Sequence, residues 1–241
     1  MNAVEVHREQ IDKLSENTRL LRALAEQLKI PLLQIARQTE LPKTTEYMLQ
    51  DVNEQASMAL RLLDGYLLST QQISRGDLEL QPTTVSSVLY DAAHNLAGIA
   101  KQYSCDLELE TPYKLQPVLV HRESFEAAIL ALGYSFIEAQ ATQDDNQKKV
   151  ITLAAHRSRY GVAAGVYGRQ EGLSTDMYRR ARSLYGRARQ PLPSLTSTSG
   201  AGIFLADSLL EVMNTRLHVS HHHKLNGLAA ILLSSRQLSL I

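Results

Sequence analysis

The sequence predicts an α+β protein in which an N-terminal helical hairpin precedes an α/β sandwich. Three observations carry that prediction. Before position 76, apolar residues recur at steps of three, four and seven over two long segments. After Gly76 the pattern breaks into short extended segments and amphipathic helical ones separated by polar turns. Finally, 44% of the 241 residues are hydrophobic, but there is no Trp and only 3 Phe, so the core must be built from Leu, Ile, Val and Ala. That length suits one large domain or two small ones.

Residues 4–40 read as one helix, with Ile11, Leu14, Leu21, Leu24, Leu28, Leu32 and Ile35 on a single stripe. Leu41-Pro42 ends it, because the residue before a proline is steered out of the helical region. Thr44 or Thr45 can cap a second helix that carries Glu46 in its first turn. Its stripe of Met48, Val52, Ala56, Ala59, Leu62, Leu63, Tyr66 and Leu67 fades near Arg75-Gly76. Such a hairpin cannot cover its own apolar face, and a second copy would complete a four-helix bundle. The expected organisation is a dimerisation hairpin over 1–76, an extended linker over 77–83 and a second domain over 84–241.

In the second domain, 84–103 and 122–141 read as helices and 105–110 and 116–121 as strands. Residues 144–147 read as a turn, and 148–157 with 160–168 as an antiparallel pair. A polar, arginine-rich stretch leads to a helix over about 203–214. Strands over 217–222 and 228–235, joined across Lys224 to Gly227, close the chain. Mainly antiparallel strands mixed with helices indicate a sheet with helices on one face.

Charge and cysteine content narrow the function classes. Lys and Arg total 25 and so do Asp and Glu, so no overall field draws the chain to nucleic acid or to a membrane. The single cysteine, Cys105, rules out an internal disulfide and fits a reducing compartment. No apolar run approaches the ~18 residues of a membrane span. The polar start MNAVEVHREQ is unlike a signal peptide, and the chain reads as cytoplasmic.

The order of parts resembles the catalytic core of sensor histidine kinases, a dimerisation hairpin followed by an ATPase domain of the gyrase and histidine-kinase type. AEQLKIPLLQI (25–35) is similar to the family's phosphoacceptor motif, of the form S-H-E-L-R-T-P-L. Residues 62–102 resemble the end of the second helix, the linker and the first ATPase-domain helix. SGAGIFLADSLLEVM (199–213) resembles the glycine box that opens the last long helix. The resemblance accounts for Pro31, since the family tolerates a proline one turn after its histidine. The lost ladder bond and bend cost about 3 kcal/mol, which bundle packing offsets. The alternative is that Pro31 merely separates two helices.

The resemblance also shows what is missing. Glu26 stands at the phosphoacceptor position and Gln27 at the neighbouring acid. A carboxylate cannot take over the imidazole's nucleophilic chemistry. The asparagine positions that hold Mg²⁺ and phosphates fall on Ala131 and Ser135, and Ser135 offers one weak ligand. Against D-x-G-x-G, the stretch GRQEG places Gly168 at the adenine-binding Asp and retains only Gly172. Gly200-Ala201-Gly202 survives from the glycine box, with a helix N-terminus behind it. It reads either as a remnant phosphate site or as glycines that permit a tight turn.

Three further groups admit several readings. Arg179, Arg180, Arg182, Arg187 and Arg189, interleaved with Tyr178 and Tyr185, occupy the place of the family's ATP lid. They are a solvated face, a surface for an acidic partner, or a nucleic-acid contact, and the neutral overall charge weighs against the last. On a strand, His221 and His223 share a face and could chelate. No acid or cysteine lies nearby in sequence to complete that site, so no metal is expected. His94 and His121 read as ordinary, and Cys105 as buried and unactivated.

The sequence therefore leads to a homodimeric, catalytically degenerate histidine-kinase-like protein that binds partners without chemistry or cofactor. A response-regulator receiver domain would dock on Gln34, Arg37, Gln38 and Glu40, or a true histidine kinase would pair with the hairpin. The alternative is a divergent kinase or phosphotransferase that still uses ATP and Mg²⁺.

Overall fold

A computed structural model describes residues 79–141, 148–169 and 200–235 continuously, with single positions between 18 and 67 and between 173 and 179. The expected hairpin therefore falls almost wholly outside the described residues. So do Glu26, Gln27, Pro31, Gln34, Arg37, Gln38 and Glu40, and the turn at 144–147.

The element order is β1 (Gln81–Thr83), α1 (Val85–Gln102), β2 (Asp106–Glu110), β3 (Val118–Val120), α2 (Arg122–Ala141), β4 (Val150–Ser158), β5 (Gly161–Gly168), α3 (Gly200–Glu211), β6 (Leu217–His222) and β7 (Leu225–Leu232). Five strands form a mixed sheet in the order β2-β4-β5-β7-β6. β2 runs parallel to β4 and the remaining pairs are antiparallel. The end of the expected linker is itself a strand: β1 pairs with β3, matching Gln81 to Val120. The chain after β7 joins this small sheet, with Leu119 N donating to Leu233 O (3.0 Å) and Ser235 N to Pro117 O (2.7 Å).

α1 forms because its apolar residues keep helical spacing: Val85, Val88, Leu89, Ala92, Leu96 and Ile99 are all buried. Ser104 ends it in the left-handed region (φ 54°). Cys105 N then donates to Ala100 O and Ser104 N to Lys101 O, which satisfies carbonyls that the helix would leave open. α3 ends the same way at Asn214 (φ 55°), with Thr215 N donating to Leu210 O. His121 caps α2: its Nδ1 accepts from Ser124 N at 3.3 Å and lies 2.9 Å from Ser124 Oγ.

α2 is the central element, with fifteen of its twenty residues buried, which explains why its sequence lacks a clear polar face. α1 crosses it so closely that a side chain at Gly133 would collide with Leu96. Most of the buried apolar residues form one core between the helices and the inner face of the sheet. A smaller cluster of Ala154, Tyr167 and Ala229 lies apart from it, with Leu225 packed against it. Buried Asp207 on α3 accepts from Leu217 N (3.0 Å) and so ties the helix to the start of β6.

Two boundaries differ from expectation. α3 begins at Gly200, so the surviving glycines lie in the first helical turn rather than before it. The β6–β7 connection is only His223-Lys224, with β7 starting three residues earlier than predicted. His223 takes the left-handed conformation (φ 50°) that a two-residue hairpin needs, a role that composition-based turn signals assign to Asn or Gly. Among the described residues no helix is long and apolar enough to cross a membrane.

Candidate nucleotide cleft and sheet face

The residues that the family resemblance assigns to a nucleotide converge on α2, the end of β5 and the start of α3. Ala131 and Ser135 lie one turn apart on α2, and both are fully buried. The Ser135 hydroxyl donates to Ala131 O at 2.9 Å. Its one proton is thus used within the helix, and the side chain is fully buried.

Gly168 is the last residue of β5 and is buried. A Cβ at this position would lie 2.7 Å from Gln140 Nε2 and 3.4 Å from both Ile151 Cδ1 and Phe136 Cδ1. The Gln140 side chain, 2% exposed, is held there by donation from Nε2 to Val150 O (3.1 Å). Its Oε1 is buried without a hydrogen-bond partner among the described residues. A side chain at Gly168, the position that the resemblance aligns with the adenine-binding Asp, would therefore meet an amide from α2.

Gly202 is buried in the first turn of α3 and Gly200 opens that helix. Gly172, Arg180, Arg182, Arg187, Arg189 and Tyr185 lie outside the described residues. Arg179 is exposed, whereas Tyr178 is only 7% exposed and belongs to the main core. Tyr178 therefore serves packing and is not presented to a ligand.

The histidine-rich strand end is assembled differently from the sequence expectation. His221 Nδ1 lies 2.8 Å from Asn226 Oδ1 and takes no part in a cluster with His223. His222 and His223 instead meet Glu110, from the end of β2, with Nε2 to Oε2 distances of 2.8 and 3.1 Å. These hydrogen bonds hold the Glu110 carboxyl below its usual pKa, His222 contributing most. The His222 ring lies 5.2 Å from that of Tyr167 and stacks at 6.2 Å on His156, whose Nδ1 is buried and unpartnered among the described residues. Burial, reinforced by His222 and His218, pushes the His156 pKa down. Sequence reasoning missed Glu110 because it stands 112 residues from His222, and no local signal links them.

Cys105 is buried and free, and burial raises its thiol pKa, as expected for an unactivated cysteine.

No protein-family model matches the chain, and no curated protein does. Solved structures do match in fold. The histidine kinase ThkA, in complex with the response regulator protein TrrA, matches over 96% of this chain and 66% of its own, with a TM-score of 0.55 and 14% identity. Full-length ShkA in complex with AMPPNP matches over 94% of this chain but only 46% of its own, with a TM-score of 0.51 and 17% identity. A nucleotide-free ThkA catalytic domain matches over 65% of this chain and 96% of its own, with a TM-score of 0.51 and 11% identity. The mixed sheet and its helices thus have the fold of a histidine kinase catalytic domain.

Proposed function

We propose that this protein is a catalytically degenerate histidine-kinase-like module that acts by dimeric docking in two-component signalling, as an adaptor, a decoy for a regulator or a partner for an active kinase. The observation that carries this reading is Gln140 packed against Gly168. The cleft lacks the adenine carboxylate, and the space for one is taken by a side chain held in the core. The full burial of Ser135 supports the same reading for the metal and phosphates. At the hairpin, Glu26 and Gln27 replace the residues that would carry the phosphoryl group.

Docking has separate support. Thr18, Leu21, Ala25, Leu28, Leu32 and Ile35 are helical at alternating steps of three and four, and Leu21 and Leu32 are each 55% exposed in the single chain. Leu49, Leu60, Leu63 and Leu67 are helical and exposed as well. A second copy would cover these positions in a four-helix bundle. ThkA is described with a response regulator bound, which supports a receiver domain as the ligand of the hairpin surface around Gln34, Arg37, Gln38 and Glu40.

The second reading, a divergent ATP-using kinase or phosphotransferase, draws on Gly200 and Gly202 at the start of α3. A fluorescent ATP analogue titrated with Mg²⁺ separates the two. Under the degenerate reading no saturable binding is expected, and no acid-labile phosphate forms on incubation with ATP. Micromolar binding, or a phosphohistidine, would overturn it.

A further inference from the structure

We propose that Glu110, His222 and His223 form a binding site for one divalent transition-metal ion of the zinc, cobalt or nickel class, which fastens the β6–β7 turn to the opposite edge of the sheet. The three ligand atoms all lie within 4.8 Å of one another. Two of the separations, 2.8 and 3.1 Å from Glu110 Oε2 to the two Nε2 atoms, are already close to the edge of a coordination tetrahedron. With metal bonds of about 2.0–2.1 Å that edge is about 3.3 Å, so these two contacts open by a few tenths of an ångström while the two imidazoles, whose ligand atoms lie within 4.8 Å, draw together around the ion. The donor set decides the metal class. Two imidazoles and one carboxylate suit zinc and its neighbours, whereas magnesium and calcium require mostly oxygen ligands. Three protein ligands leave a position for water.

The backbone is arranged to bring these donors together. Adjacent residues on a strand point to opposite faces, which would separate His222 from His223. The left-handed turn at His223 breaks that alternation, and both rings reach one carboxylate, with centroids 4.4 Å apart. The convergence also spans the sheet. β2 and β6 are its two edge strands, and four strand spacings in a flat sheet come to about 19 Å. The turn instead reaches over the sheet's outer face, where His222 lies against Tyr167 of β5 and His156 of β4. Those two rings form the wall behind the site, and the more exposed His223 leaves it open to solvent.

The test uses the full, tag-free chain, treated with chelator and then titrated with zinc chloride by calorimetry, with magnesium chloride as control. One zinc equivalent should bind, magnesium should not, and cobalt should give the visible absorption of a tetrahedral site. His223→Gln is the decisive variant, because its side chain is 72% exposed and its loss should leave the metal-free melting temperature unchanged. Zinc affinity should fall at least tenfold in His223→Gln and in Glu110→Gln, and remain that of the native chain in His221→Gln. Absence of stoichiometric zinc binding, or equal affinity in native chain and His223→Gln, would overturn the proposal, as would a loss of the same size in His221→Gln.

Discussion

At the scale of single residues, the contact between Gln140 and Gly168 decides most. A side chain at Gly168 must displace an amide that is 2% exposed and bonded to Val150 O. Gly168→Asp, which introduces the residue that the family resemblance expects there, adds overpacking and a buried carboxylate together. It should destabilise the protein by about 2–4 kcal/mol in a urea melt. Combining it with Gln140→Ala should recover part of that loss by vacating the space. A single variant within about 0.5 kcal/mol of the native chain would mean that the cleft is open, and the degenerate reading would lose its main support. The exchange matters because an adenine pocket without its carboxylate forfeits a charge-assisted hydrogen bond, typically about 1.5–3 kcal/mol.

At the scale of elements, helix ends are where this chain departs from the residues that geometry prefers. α1 and α3 both close with a non-glycine residue in the left-handed region, Ser104 and Asn214. Asn tolerates that conformation, whereas Ser bears a Cβ penalty with less compensation. Ser104→Gly should therefore stabilise the protein by up to about 1 kcal/mol, measured as a shift of the denaturation midpoint with unchanged slope. Destabilisation would show that the Ser104 side chain is needed there. The helices tell the same story of local pattern against packing. α1 was legible from apolar spacing, because one of its faces is polar. α2 has no such polar face, since burial nearly all round erases the periodicity.

At the scale of the whole molecule, the exposed leucines of the N-terminal region are the apolar surface on which the proposed dimer rests. Leu21 and Leu32 are each 55% exposed and Leu60 is 60% exposed, more than a stable helical pair leaves in water. Leu21→Glu with Leu32→Glu should convert a dimer into a monomer in light scattering while leaving the sheet domain's melting transition in place. A native chain that is monomeric at micromolar concentration would remove the four-helix bundle from the proposed function. Surface ion pairs such as Arg122 with Asp91 (2.6 Å) tie α1 to α2 but are half-exposed, and contribute little beside the core.

How much was legible in the sequence follows the range of the interactions concerned. Amphipathic spacing and strand alternation are local, so the sequence by itself determined the order of elements from α1 to β7, the span of α2 and the span of β6, but not β1. It also carries the motif resemblance on which the proposed loss of catalytic side chains rests. Only the tertiary structure decided the long-range contacts. Gln140 reaches Gly168, Glu110 reaches His222 and His223, and β1 pairs with β3 through contacts between segments that no local period connects. The β6–β7 turn was misjudged for the same reason. A His-Lys pair has no turn signature of its own, and its left-handed residue is held by strand pairing on either side.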